Sequence, residues 1–158
     1  MTGRLTREIK QTRPFSSLQE EVVLSMLRTA DQLAVPMNEI LRQANLSFSQ
    51  YNVLRILRGA GEEGLPCGEI SERMVRRDPD LTRLLDRLET RGLVGRSRGL
   101  PDRRVVRARI SNEGLDLLTS LDDSVKGAMK RTLSHMPTSR LNALRELLEE
   151  ARGEMEGK

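Results

Sequence analysis

The chain has 158 residues, enough for one domain with its own core, and its 37% apolar and 32% charged content excludes a disordered or fibrous polymer. No apolar run approaches the roughly 18 residues of a membrane span, and no apolar segment follows the basic N-terminus as a secretion signal requires. The single cysteine, Cys67, can supply neither an internal disulfide nor half of a four-ligand zinc site, so the expectation is a cytoplasmic protein in a reducing compartment.

The net charge of +4 is unevenly placed. Residues 76–110 hold eleven arginines against five carboxylates, a local +6, so the rest of the chain carries −2. Such a patch points to a polyanion-binding face, the alternative being a solvated surface.

In chain order, "MTGRLTREIKQTR" places Arg4, Arg7, Lys10 and Arg13 three apart and predicts a mobile tail. Leu18, Val22, Met26, Leu33, Met37, Ile40 and Leu41 then recur at mostly helical spacings, which predicts a long amphipathic helix over 17–44. Pro36 lies inside it and removes a hydrogen bond to Gln32, so a kink or break is expected there. "SFSQ" has capping-box spacing, with Ser47 and Gln50 able to satisfy each other's backbone N–H, and starts a second helix that buries Val53, Leu54 and Leu57 and stops at "GAGEEG". A short third helix covers about 67–74. Next, Asp78 can cap, Pro79 suits a first helical position, and Leu81, Leu84, Leu85 and Leu88 form one apolar stripe, giving a fourth helix that ends at Gly92.

The third and fourth helices, joined by a turn "VRR", have the outline of a helix-turn-helix whose second member carries Asp80, Thr82, Arg83, Asp86 and Arg87 outward. Strict alternation in "LVGRSR" and "VVRARI" predicts two half-buried strands, with "GLPD" at the tip of a basic hairpin, or wing. Ser111 then caps a helix bearing Leu115, Leu118, Leu121 and Val125, and Thr138 or Ser139 caps a last one bearing Leu141, Leu144, Leu147 and Leu148. These stripes and the long first helix exceed what the small central lobe can cover, which predicts a homodimer built from the terminal helices.

"LTRLLDRLETRGLVGRSRGLPDRRVVRARISNEGLDLL" resembles the recognition helix and wing of the MarR family of winged-helix transcriptional regulators. The wing of that family usually has Asp-x-Arg, then a strand, a Ser or Thr, and a Gly; the matching positions are Asp102, Arg104, Ser111 and Gly114. "LSFSQYNVLRILRGAGEEGLPCGEISERM" is similar to the preceding helices, so the resemblance spans about 45–118. Pro66, Arg76 and Arg77 depart from the family pattern at caps and turn. The expected fold is mainly α with a small β-hairpin wing: a winged helix-turn-helix lobe at 46–110 inside a helical dimerisation region at 14–45 and 111–156, all one domain over 1–158.

From this follows a sequence-specific, double-stranded DNA-binding regulator, a ligand-responsive repressor that meets a pseudo-palindromic operator as a homodimer. Arg83 is the leading reader of guanine, since a guanidinium can donate two bonds to O6 and N7. Arg87, Arg76 and Arg77 suit phosphates, while Asp80 and Thr82 either touch bases or cap the helix. Arg103 or Arg104 should enter a minor groove, and Asp102 either bridges to Arg104 and stiffens the wing or simply forms the turn. The N-terminal basic residues have a second use, as an arm that contacts DNA. The resemblance further implies a pocket for a small aromatic or phenolic effector, which Met37, Leu41, Tyr51 and Arg55 could line, the alternative being that they are ordinary core.

No catalytic site, metal site or cofactor is expected. His135, beside a proline, has no cysteine or acidic cluster around it, and Cys67 has no activating neighbour in sequence and is expected to be a buried structural thiol. The alternative function is a winged-helix protein-interaction module whose arginines meet an acidic partner.

Overall fold

The computed structural model describes residues 3–98 and 104–153. Helix α1, Arg4–Glu8, is followed by α2, Leu18–Gln43; α3, Phe48–Ala60; a 3₁₀ turn at Gly61–Glu63; strand β1, Leu65–Pro66; α4, Cys67–Arg73; α5, Leu81–Thr90; β2, Val94–Arg98; β3, Val106–Ile110; α6, Asn112–Thr132; and α7, Thr138–Gly153. The sheet has the order β1-β3-β2 and both pairings are antiparallel, with Leu65 opposite Ala108 and Val94 opposite Ile110.

One apolar cluster links these elements. Leu41 of α2, Val53, Leu54 and Leu57 of α3, Ile70 of α4, Leu85 and Leu88 of α5, Ala108 of β3 and Leu118 of α6 are all fully removed from solvent. The leucine stripe of α5 therefore faces inward and fixes which side of that helix is left outside. Two local devices set the lobe's ends. Ser47 Oγ accepts from the Gln50 N–H at 3.1 Å while Gln50 Oε1 accepts from the Ser47 N–H at 3.0 Å, the capping box expected from "SFSQ". Ser111 Oγ accepts from the Gly114 N–H at 3.0 Å and donates to the Gly92 carbonyl at 2.6 Å, so the cap of α6 also ties down the end of α5.

Several expectations need correction. Helix α2 runs unbroken through Pro36, which is tolerated because α2 packs along α6 and into the core through Leu41. The fourth helix begins later than expected: Asp80, not Asp78, is the N-cap, and Pro79 lies outside the helix. Asp78 Oδ1 instead accepts from the Asp80 N–H at 2.9 Å. The connector between α4 and α5 consequently spans 74–80 rather than three or four residues. Helix α7 already includes Thr138, so neither hydroxyl stands outside its first turn as a cap. The expected mobile tail is ordered over 3–11: Leu5 is buried, and the Gly3 N–H donates to Glu21 Oε1 at 3.1 Å. Strand β1 went unforeseen. Cys67 is half-buried at the start of α4 rather than fully enclosed.

Candidate nucleic-acid interface

With Leu81, Leu84, Leu85 and Leu88 buried, α5 presents Thr82, Arg83, Asp86 and Arg87 to solvent. Asp80 caps the helix, its Oδ1 accepting from the Arg83 N–H at 3.4 Å, and its Oδ2 lies 3.2 Å from Arg83 Nε. An exposed pair of this kind is worth about 0–1 kcal/mol, so the Arg83 guanidinium can exchange it for a base edge. Arg76, Arg77, Arg87 and Arg98 are exposed, and their side chains make no hydrogen bond or ion pair among the described residues. Unpaired guanidinium groups around a protruding helix form a surface suited to phosphates.

The basic stretch is not uniformly of this kind. Arg107 donates to the carbonyls of Glu63 at 3.0 Å and Gly64 at 2.9 Å, and Arg109 reaches the Glu62 carbonyl at 3.5 Å, so both secure the turn before β1. Arg91 donates to the carbonyls of Asn45 and Ala44. Arg96 lies between two carboxylates of α5, with Nη2 at 2.5 Å from Glu89 Oε2 and 2.6 Å from Asp86 Oδ1. That contact holds the Glu89 carboxyl below the ordinary carboxylate range and raises Arg96. Part of the apparent charge crowding is therefore resolved inside the fold, by partners that sequence spacing does not disclose.

The wing is described only at its base. Asp102 and Arg103 lie outside the described residues, and with them the expected bridge from Asp102; Arg104 is exposed just before β3.

Behind the connector lies a cavity of about 810 Å³, lined from α2 by Leu33 and Met37, from α3 by Phe48, from the connector by Val75 and Arg76, and from α6 by Met129, among others. Of the four residues expected at a pocket, only Met37 lines it. Leu41 and Tyr51 are core residues, and Arg55 lies over the Tyr51 ring at 5.8 Å. Leu33, Phe48, Val75 and Arg76 were missed as pocket residues because their sequence separation hides that they share a wall. The Asn52 side chain, buried in α3, accepts from the Val75 N–H at 2.8 Å and fixes that wall.

Between α3 and α6, Arg58 and Asp122 form a two-bond fork at 2.8 and 3.0 Å, which raises Arg58 and lowers Asp122. Among the described residues there is no group of His, Cys, Asp and Glu able to hold a metal, and no helix long and apolar enough to cross a membrane.

Residues 46–106 match the model of the MarR family. The crystal structure of a MarR transcription factor from Planctomyces limnophilus is 40% identical, covering 86% of this chain and 98% of that one with a TM-score of 0.66. The HTH-type transcriptional regulator TtmR of Methylorubrum extorquens is 31% identical over 84% of this chain; the match spans 65% of TtmR, just under two thirds of its length. The crystal structure of CouR from Rhodococcus jostii bound to p-coumaroyl-CoA is 25% identical, covering 87% of this chain and 95% of that one with a TM-score of 0.71. The leucine-backed helix, the hairpin that follows it and these likenesses agree: the chain belongs to the MarR family of winged-helix transcriptional regulators and is not an enzyme.

Proposed function

We propose that the protein is a ligand-responsive repressor in the cytoplasm that binds a pseudo-palindromic operator in double-stranded DNA as a homodimer. The observation that carries this is the outward face of α5, where Thr82, Arg83 and Arg87 stand clear of a buried leucine stripe, beside the unpaired side chains of Arg76 and Arg77. Arg83 reads guanine, Arg76, Arg77 and Arg87 hold phosphates, and Arg103 or Arg104 enters the adjacent minor groove, with Asp102 orienting Arg104. Asp80 serves through its cap and Thr82 through its position in the first turn.

Dimerisation is supported by what one chain leaves uncovered. Leu18, Val22, Val23, Met26 and Leu27 of α2 are exposed, as is Leu147 of α7, and α7 buries no residue fully. Apolar area of this extent on helix faces is characteristic of an interface. In the proposed assignment, 14–45 and 111–156 form the dimerisation region and 46–110 the DNA-binding lobe. Two copies of α5 about 34 Å apart would meet successive major grooves.

The cavity suits an amphipathic effector, aromatic or phenolic, because its walls are mainly apolar and Arg76 and Asn38 supply polar contacts. Its walls come from α2, α3, α6 and the connector before α5, so an occupant that prefers one arrangement of these elements shifts the separation of the recognition helices.

The test is a titration of the chain's own promoter region against scrambled DNA of equal length, repeated with Arg83→Ala and Arg104→Ala. The first substitution should relax specificity by about 1–3 kcal/mol at one position, and the second should weaken binding most at A·T-rich flanks. Equal affinity for promoter and scrambled DNA overturns the reading and favours a module that binds an acidic protein. Hydroxylated benzoates and cinnamates should raise the melting temperature and release DNA.

A further inference from the structure

We propose that Arg91 is a positioning residue: it latches the end of α5 to the end of α2 and thereby sets the spacing between half-sites that the dimer accepts. The inference rests on the dimeric DNA-binding reading above. Arg91 directly follows α5, and its Nη1 and Nη2 donate to the carbonyls of Asn45 at 2.5 Å and Ala44 at 3.1 Å, across 46 and 47 residues of chain. No other hydrogen bond or ion pair among the described residues joins the end of α2 to the end of α5.

The chemistry of the α2 terminus explains the site. The last carbonyls of a helix lack intrahelical partners and form the negative end of its dipole, which favours a cation. Here Ala44 is the C-cap and Asn45, with φ of 53°, turns the chain so that the Leu46 N–H returns to the Leu41 carbonyl at 2.9 Å. The carbonyls of Ala44 and Asn45 lie beyond that closure, and a planar guanidinium can bridge both, whereas an ammonium reaches them only as a point charge.

Leverage makes the contact matter for DNA. Helix α5 has ten residues and is about 15 Å long, so a tilt of about 10° about its middle, where Leu84 and Leu85 are buried, moves each end by about 1.3 Å, more than a third of the rise of one base pair of about 3.4 Å. Because α2 carries the apolar dimer face, the latch connects the fixed frame of the dimer to the reading element. Two tilts, one in each protomer, would blur the register between half-sites.

The experiment first selects the half-site from random duplexes with the wild-type protein, then measures affinity for duplexes carrying it at the preferred centre separation and at one and two base pairs longer or shorter. Arg91→Lys and Arg91→Gln are compared with wild type, with helix content and melting temperature recorded. Both variants should bind more weakly at the preferred spacing and lose about fivefold of the preference over its neighbours, the Lys variant with an unchanged salt slope. The Lys variant keeps the charge, so it decides the case if the Gln variant does not fold. Wild-type spacing preference in Arg91→Lys overturns the latch. So does a loss of about 0.9 in salt slope for Arg91→Gln with spacing preference intact, which would make Arg91 a phosphate contact. A wild-type protein that binds DNA as a monomer, or shows no spacing preference, overturns instead the functional reading on which the latch rests.

Discussion

Replacing Arg96 with glutamine should weaken both the fold and its grip on DNA. Arg96 sits on β2 and donates from Nε to Glu89 Oε2 at 2.9 Å and from Nη2 to Glu89 and Asp86 at 2.5 and 2.6 Å. Its side chain is 25% exposed, against 39% for Glu89 and 52% for Asp86. A freely exposed pair contributes about 0–1 kcal/mol and a sheltered bond to a charged group about 1.5–3 kcal/mol. This cluster lies between those limits, so Arg96→Gln should cost about 1–2 kcal/mol. Urea denaturation at pH 7 of Arg96→Gln, Glu89→Gln and the double variant should yield a coupling near 1 kcal/mol.

The pH dependence gives a second check. Glu89 is held below its ordinary range, chiefly by the hydrogen bond from Arg96, so its contribution is complete above the unfolded carboxylate value and disappears as pH falls through the lower folded value. Coupling should thus be full at pH 7 and shrink below about pH 4. On DNA, the variant leaves Asp86 and Glu89 uncompensated beside the phosphates, so affinity should fall most at low salt. Additive single effects at pH 7, or coupling that grows on acidification, would refute this account of how the wing is fastened to α5.

Gly64 has φ of 63°, and a Cβ there would strike the Ala108 carbonyl across the β1–β3 pairing, so Gly64→Ala should cost about 3 kcal/mol or more in chemical denaturation. Val23→Glu with Leu27→Glu places charges on the exposed side of α2, where Leu27 is 64% exposed; sedimentation should show monomer with helix content retained, and an unchanged dimer would relocate the interface. Met37→Trp should narrow the cavity and weaken stabilisation by hydroxybenzoates while DNA binding persists; an undiminished shift in melting temperature would place their binding elsewhere. Acidification should also loosen α3 from α6, because Asp122 is held low by Arg58, and Asp122→Asn should remove that part of the acid sensitivity.

Where local chemistry decides, the residues speak plainly. The leucines of α5 point inward because their spacing makes one stripe, Gly92 ends the helix because its φ is 68°, and Ser47 and Ser111 cap because each has an N–H three residues on to receive. Distant partners are what spacing hides. β1 is two residues long and exists only through pairing with β3 more than forty residues later. Two aspartates two positions apart, Asp78 and Asp80, offer equal capping chemistry, and the leucines behind them select the second. Pro36 loses one hydrogen bond locally, but the packing of α2 against α6 outweighs it. At the candidate interface, the outward arginines of α5 could be foreseen from the stripe opposite them, whereas Arg91, Arg96, Arg107 and Arg109 could not be sorted without seeing the oxygens they meet.

Those oxygens differ in one respect that reaches beyond the fold. Carbonyls carry no net charge, so the charges of Arg91, Arg107 and Arg109 are not offset by the groups that hold their hydrogen-bonding edges, whereas two carboxylates offset the charge of Arg96. Such tethered cations attract a distant polyelectrolyte without clasping it on arrival. Under the proposed function they therefore govern how quickly encounters occur, and leave the lifetime of the bound state to the exposed guanidinium groups around α5.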